Sequence, residues 1–277
     1  MKIYAPTLSP GTILVLFFSL IFLSTCKMKP AEKLAGKEIP EEEIIKQETL
    51  IEISGYPLPT AFYITEMLIE AKAPYILSIS NSPKKVVQYF SQKDKALNLG
   101  VYGADLSYAA TYLMTQETML FLEAAKQLRD ELNVHTTFHE DCYERVEDNL
   151  ENGDSLILII SDSFYDTYKY LVESRKDKLA ILVMTGSWIE GLYLTTQIAL
   201  TAGSNQELLK IILEQESSLE KLLEILEPLN EEEEIMKVYS QLISLQKIYN
   251  MVQEDLNDDG FGQIADLIYS LRSNIVD

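Results

Sequence analysis

The stretch ALNLGVYGADLSYAATYL, residues 96–113, indicates how this chain packs. Gly100, Gly103 and Ala104 lie at positions i, i+3 and i+4, so a helix through the stretch has a smooth face of small residues. Because no bulky side chain stands between the backbones, a second helix can approach this face closely. The stretch therefore predicts a buried helix with a close helical neighbour.

Polar side chains interrupt this stretch and a related one, LVMTGSWIEGLYLTTQIA at residues 182–199. In the first, one carboxylate and two phenols share a helix face, and in the second a carboxylate and a tyrosine do so. If the two faces meet, they form a polar pocket for a cationic or hydroxylated small ligand. The residues predicted to line it are Asp105, Tyr108, Tyr112, Trp188, Glu190 and Tyr193.

Two other interpretations of these residues remain open. In the first, they satisfy one another in a buried hydrogen-bond network that fixes helix packing, which is the more common role of such groups. Alternatively, Asp105 and Glu190 are an acid/base pair of an enzyme, in which case burial should shift their pKa values.

Apolar residues recur at helical spacing along most of the chain. Residues 59–71, 116–133, 205–226 and 231–254 each read as an amphipathic helix, and Ser82-Pro83 has the residue types of a helix start. The predicted fold class is therefore all-α, a helical bundle or array. The competing interpretation makes residues 156–160 and 179–183 the strands of βα units, but no glycine-rich phosphate-binding turn accompanies them.

The sequence also predicts an internal repeat. Residues 76–82, ILSISNS, match residues 157–163, ILIISDS, at five of seven positions, and an amphipathic helix follows each copy. The resulting organisation is a signal peptide at 1–25, a tether at 26–43 and one domain at 44–277, with repeat copies at 57–135 and 138–227 and C-terminal helices at 231–277.

The N-terminus indicates where the protein works. Residues 13–23, ILVLFFSLIFL, form an uncharged run with the length of a secretory h-region, and Leu23-Ser24-Thr25-Cys26 follows at once. This pattern resembles a bacterial lipobox, although Thr25 is larger than the residue usual before the cysteine. The resemblance implies cleavage before Cys26, diacylation of its sulfur and a lipid-anchored protein in the cell envelope.

The net charge of the chain excludes some classes of binding partner. The formal net charge is −20, so the surface repels phosphate backbones, and nucleic-acid binding is not expected. Attachment to a membrane is expected to rest on the lipids of Cys26. Cys142 is the one other cysteine, so a lipidated chain has no intramolecular disulfide.

One segment near the C-terminus resembles the calcium loop of EF-hands and dockerins. Asp255, Asn257 and Asp259 stand at loop positions 1, 3 and 5, Gly260 follows, and Asp266 stands at position 12. Gly262 departs from the pattern, because an apolar residue usually anchors the loop there. The alternative interpretation is a turn followed by the cap of a last helix. No other cofactor is predicted.

The two glycine-containing stretches, 96–113 and 182–199, resemble motifs of uncharacterised lipoproteins of Bacteroidota. That resemblance implies a lipid-anchored envelope protein and carries over no catalytic residue. The predicted function is accordingly a non-catalytic binding or scaffold module with a protein partner in the envelope. The alternatives are the enzyme and the small-ligand binding protein described above.

Overall fold

The computed structural model describes residues 61–135, 137–202, 206–231, 233–252 and 257–277. Within these ranges the chain forms α-helices, three short 3₁₀ helices and no strand, which confirms the all-α prediction. The two apolar runs that were open to a βα interpretation both lie inside α-helices, so that interpretation is wrong.

Ten α-helices make up the described part of the chain. They are α1 (Ala61–Glu70), α2 (Gln92–Thr111), α3 (Thr115–Glu131), α4 (Thr137–Asp148), α5 (Gly153–Glu173), α6 (Asp177–Ala202), α7 (Gln206–Glu214), α8 (Glu216–Leu226), α9 (Glu233–Val252) and α10 (Asp258–Val276). The 3₁₀ helices Leu77–Ile79 and Pro83–Gln88 lie between α1 and α2, and Glu227–Leu229 follows α8.

Helices α2 and α6 form the centre of the molecule. Every residue from Ala96 to Ala110 is buried, and α6 is buried on nearly all sides. A helix that is apolar all round needs neighbours on every side. Here α1, α3 and α5 pack on α2, while α5, α7 and α10 pack on α6.

Glycines set the distance between the two central helices. A Cβ on Gly100 would lie 2.0 Å from the carbonyl oxygen of Val183, and a Cβ on Gly186 would lie 1.9 Å from that of Leu97. Both distances are far below van der Waals contact, so these backbones touch only because neither residue has a side chain. The close approach predicted at Gly100 is therefore confirmed, whereas Gly103 makes room for the ring of Phe164 on α5.

One described helix, α6, is long and apolar enough to cross a bilayer by length and composition. However, 83% of its most apolar 18-residue window is buried within the fold. The core helix of a folded domain has the same composition, because it too is surrounded by apolar neighbours.

The predicted helix at 205–226 is two helices in the structure, α7 and α8. The backbone N–H of Gln215 donates to the carbonyl oxygen of Ile212, three residues back, so the α-helical bonding is interrupted there. The buried side-chain amide of Gln215 donates to the carbonyl oxygen of Ile211. A polar residue inside an apolar stripe thus ends one helix and begins the next.

The structure does not confirm the internal repeat. Residues 76–82 include a 3₁₀ helix and extended chain, whereas their counterparts at 157–163 lie in the middle of α5. Pro83 follows the first copy directly and disfavours helical backbone at the residue before it, while Phe164 stands at the corresponding place in the second copy. Similar sequences therefore adopt different local structures here.

We predict that Gly100→Ala destabilises the protein severely. The new methyl group meets backbone atoms of α6, which cannot move aside as a flexible side chain would, so the expected loss is at least ~4 kcal/mol of unfolding free energy. The measurement is urea unfolding followed by circular dichroism.

Gly262→Ala is the matched control for this variant. Gly262 also lies in a helix, α10, but a Cβ there would have no neighbour within 4 Å. Alanine is the better helix former by about 1 kcal/mol, so this variant should be as stable as the parent or more so. Equal stability of the two variants would contradict the proposed backbone contact.

Candidate functional site: a buried carboxylate–arginine cluster

Asp105 of α2 and Glu190 of α6 meet in the interior of the protein. Both side chains are completely buried, and the two carboxyl groups lie close enough for the charge of Glu190 to act on Asp105. Leu97 of α2 lies against Gly186 of α6, and further along both helices Asp105 lies beside Glu190. The two helices therefore run in the same direction. The structure thus brings together the carboxylates of the two stretches that the sequence singles out.

Arg272 of α10 neutralises this pair. Its Nε lies 3.0 Å from Oε2 of Glu190 and its Nη2 lies 3.2 Å from Oε1, so the guanidinium grips the carboxylate with two parallel hydrogen bonds. Nη2 also lies 3.4 Å from the carbonyl oxygen of Ile79. The guanidinium carbon lies 4.6 Å from the ring centroid of Tyr193, which adds a cation–π contact.

Asp105 is held from the opposite side by the chain that precedes α2. Its Oδ2 accepts a hydrogen bond of 3.0 Å from the backbone N–H of Asn81. The side-chain amide of Asn81 donates to the phenol oxygen of Tyr89, which in turn donates to the carbonyl oxygen of Val276. The network therefore joins the 3₁₀ region, both central helices and the end of α10.

Burial decides the protonation of the cluster. The pKa of Asp105 is raised well above its ordinary range, first by burial and then by the neighbouring charge of Glu190. Burial also raises the pKa of Glu190, but the Arg272 guanidinium opposes that rise and favours the charged form. We therefore assign the proton to Asp105, which gives a neutral cluster of one acid, one carboxylate and one guanidinium.

Tyr108 and Tyr112 belong to a second cluster, together with Tyr75. The ring centroids of the three tyrosines lie 4.6 to 5.5 Å apart. The hydroxyl of Tyr108 accepts a hydrogen bond of 2.8 Å from the backbone N–H of Ile76, and that of Tyr112 donates one of 2.7 Å to the carbonyl oxygen of Ala73. These phenols fasten the chain that leaves α1 onto α2.

The six residues predicted to line a pocket fall into separate groups in the described part of the chain. Asp105, Glu190 and Tyr193 surround Arg272, while Tyr108 and Tyr112 hold backbone. Trp188 is buried in the core, and its indole N–H has no hydrogen-bond partner among the described residues. Both carboxyl groups lie in a buried polar cluster, although Oδ1 of Asp105, like the Trp188 indole, has no hydrogen-bond partner among the described residues.

A groove of about 720 Å³ lies on the surface instead. It is lined by Glu123, Lys126, Gln127, Asp130, Glu131 and Tyr143. None of the six predicted pocket residues contributes to it.

The described part of the suggested calcium segment is a capped helix start. Oδ1 of Asn257 accepts a hydrogen bond from the backbone N–H of Gly260, so this oxygen caps α10. Asp259 and Asp266 lie on α10, about 10 Å apart along its axis at 1.5 Å per residue, and do not surround a common point. Asp255 lies outside the described residues, and among the described residues no three His, Cys, Asp or Glu side chains form a metal-binding group.

Sequence reasoning missed Arg272, which completes the cluster. Its signal was present, because Arg272 interrupts the apolar stripe of Ile264, Ile268 and Ile275 on α10. Residues 268, 269, 275 and 276, at spacings of three and four from it, include no acid that could pair with it on its own helix. A cation on a buried face without a local partner predicts an acidic partner on another helix.

Comparison of the chain with protein-family models, with curated proteins and with solved structures finds no match. The features that bear on function are therefore this cluster and the N-terminal sequence.

We predict that Arg272→Ala costs ~3–5 kcal/mol of unfolding free energy, because it leaves the Glu190 carboxylate buried without a counter-ion. The double variant Glu190→Gln/Arg272→Met removes both charges and should recover a large part of this loss. Urea unfolding of both variants measures the difference.

Lys126→Ala is the control for loss of an ion pair. Lys126 pairs with Asp130 one turn away on the exposed face of α3, so its removal should cost less than ~0.5 kcal/mol. If Arg272→Ala were equally mild, or if the double variant were less stable than the single one, the cluster would not have the assigned charges.

The pH dependence of stability tests the proton on Asp105. A raised pKa means that the folded chain holds a proton which the unfolded chain releases above its ordinary value of 3.8. Stability should therefore fall as the pH rises from about 4 towards the pKa of the folded state, by at most about 1.4 kcal/mol per pH unit for this one proton.

Asp105→Asn should remove this part of the pH dependence. The Asn side chain is neutral, as the protonated acid is, and its oxygen can still accept from the Asn81 N–H. We expect near-parental stability at pH 5 and a flatter stability profile from pH 5 to 8. An unchanged slope would place the proton elsewhere.

Proposed function

We propose that this chain is a lipid-anchored protein of the bacterial cell envelope that acts as a non-catalytic binding or scaffold module. The anchor is Cys26, on the sequence of residues 13–26. The body is the all-α domain, whose acidic surface is unsuited to nucleic acids.

One observation carries the scaffold part of the proposal, namely the complete burial of Asp105 and Glu190 against Arg272. Carboxylates of a ligand-binding or catalytic site must be reachable by the ligand or substrate, and these two are enclosed by bonded helices. Glu190 of α6 bonds Arg272 of α10, and Asp105 of α2 bonds Asn81 in the chain before α2, so the cluster stabilises the folded domain. The partner is expected to be another envelope protein that binds the outer surface of this domain.

The acid/base enzyme is the second candidate. The raised pKa of Asp105 favours it, since a general acid has to hold its proton at a higher pH than an ordinary carboxyl group does. For catalysis, however, the cluster would have to open and the Arg272–Glu190 pair would have to separate. The scaffold proposal requires neither event.

We predict that fatty acid is incorporated into the chain at Cys26 and at no other residue. Cells that express the chain are grown with an alkynyl fatty acid, and the isolated protein is coupled to a fluorescent azide. The parent chain should be labelled, and Cys26→Ser should lose the label and become soluble as a folded protein.

Cys142→Ala is the matched control, because Cys142 is the other cysteine and lies buried in the fold. It should keep the label and the membrane location. Labelling of Cys26→Ser, or an unlabelled parent chain, would overturn the anchor. The partner is then sought by cross-linking the parent chain in native membranes.

A further inference from the structure

The 3₁₀ helix Pro83–Gln88 and the residues after it are amphipathic. Val86 and Tyr89 are buried, whereas Lys84, Val87 and Phe90 face solvent. Residues three apart share a face of a 3₁₀ helix, which aligns Lys84 with Val87. Tyr89 has extended backbone and points inward, so the next side chain, Phe90, points outward. We call Lys84, Val87 and Phe90 the outer stripe.

Exposure of the outer stripe is unusually high for apolar residues. Phe90 is 82% exposed and Val87 is 65% exposed, and Phe90 is the most exposed large apolar side chain in the described part of the protein. Apolar residues scattered singly over a surface are ordinary, whereas neighbouring exposed ones are candidates for a contact surface.

The segment that presents the stripe is firmly held. The phenol of Tyr89 bonds Asn81 and the carbonyl oxygen of Val276, and the hydroxyl of Tyr102 donates to the carbonyl oxygen of Ser82. Within the 3₁₀ helix itself, the ammonium of Lys85 bonds the side chain of Asp277, the residue that follows α10. Because internal bonds fix this segment on both sides, Phe90 cannot turn into the core without breaking them.

The segment that carries the outer stripe is basic, although the chain as a whole is acidic. Residues 84–95 contain four of its 23 Lys and Arg residues and a single acid, Asp94. Lys85 pairs with Asp277, Lys95 pairs with Glu131, and Lys93 lies 3.8 Å from Asp94. Lys84 forms no ion pair among the described residues, so its ammonium is available beside Val87 and Phe90.

We propose that the outer stripe contacts an anionic lipid surface, with Phe90 and Val87 at the acyl boundary and the Lys84 ammonium at the lipid phosphates. A long aliphatic stem lets lysine reach phosphates while its neighbours enter the apolar layer. The positive charge of Lys84 beside two apolar side chains is what an anionic bilayer attracts, even though the whole chain has a net charge of −20.

This proposal rests on the proposed lipid anchor, which keeps the domain near the bilayer. The 17 residues of the predicted tether that follow Cys26, residues 27–43, span at most ~3.5 Å each, a length that lets more than one face of the domain reach the lipid. The lipid anchor alone therefore does not fix the orientation of the domain at the bilayer. Contact between the outer stripe and the lipid fixes it.

A fluorescent probe at position 90 tests the contact. The full chain is purified from membranes in the Cys142→Ala background with Phe90→Cys, labelled with an environment-sensitive dye and reconstituted in vesicles of phosphatidylcholine and phosphatidylglycerol. We expect a blue shift, a severalfold increase in emission and strong quenching by lipids with brominated acyl chains. Lys84→Glu in the same chain should remove most of the quenching, because it reverses the charge beside the probe.

The control places the same dye at Met251→Cys. Met251 is a large apolar side chain with a similar exposed fraction, 69%, but lies on α9 outside the stripe. A dye at this position should stay in water. The proposal would be overturned by equal quenching at positions 90 and 251, by quenching at neither position, or by no effect of Lys84→Glu. It would also be overturned if the dye at position 90 became shielded without vesicles as the protein concentration rises. That result would indicate contact with a second copy of the chain.

Failure of the anchor gives a different result. In the lipidated chain the sulfur of Cys26 is blocked, so the Cys142→Ala parent should take up no dye. Dye uptake at Cys26 would overturn the proposed acylation, whatever position 90 shows.

Discussion

The backbone contact between α2 and α6 is the constraint on which the rest of the structure depends. At Gly100 and Gly186 the two helices touch without an intervening side chain, which fixes both their separation and their register. Five residues after the first glycine and four after the second, this register places Asp105 beside Glu190. The buried charge cluster is thus a geometric consequence of the glycine contact.

Two carboxyl groups brought together in the buried interior need their negative charges neutralised, and α10 supplies the positive charge. Arg272 neutralises Glu190, and the proton on Asp105 removes the second charge. The end of the same helix is fastened to earlier parts of the chain, since the carbonyl oxygen of Ile275 accepts from Asn98 and that of Val276 accepts from Tyr89. These bonds join residues more than 170 positions apart, so the core is complete only when α10 has docked.

The closed core and the exposed stripe suggest different roles for the two sides of one segment. Asn81 and Tyr89 face inward and belong to the network around Asp105, while Lys84, Val87 and Phe90 face outward. Rigidity on the inner side holds the outer side in a fixed position. If the proposed lipid anchor holds the domain at a membrane, a surface in a fixed position sets the orientation of the domain there.

The sequence by itself determined the fold class, most helix positions and the close helical contact, because apolar periodicity and side-chain size act locally. It also singled out Asp105 and Glu190, since carboxylates are conspicuous in apolar stretches. Tertiary structure alone decided that Arg272 joins them from 82 residues further along the chain, that Tyr108 and Tyr112 bind backbone, and that Gln215 divides one predicted helix. It likewise gave the matched segments 76–82 and 157–163 different structures. Pairing and burial of polar groups depend on which distant elements meet, and spacing along one helix does not contain that information.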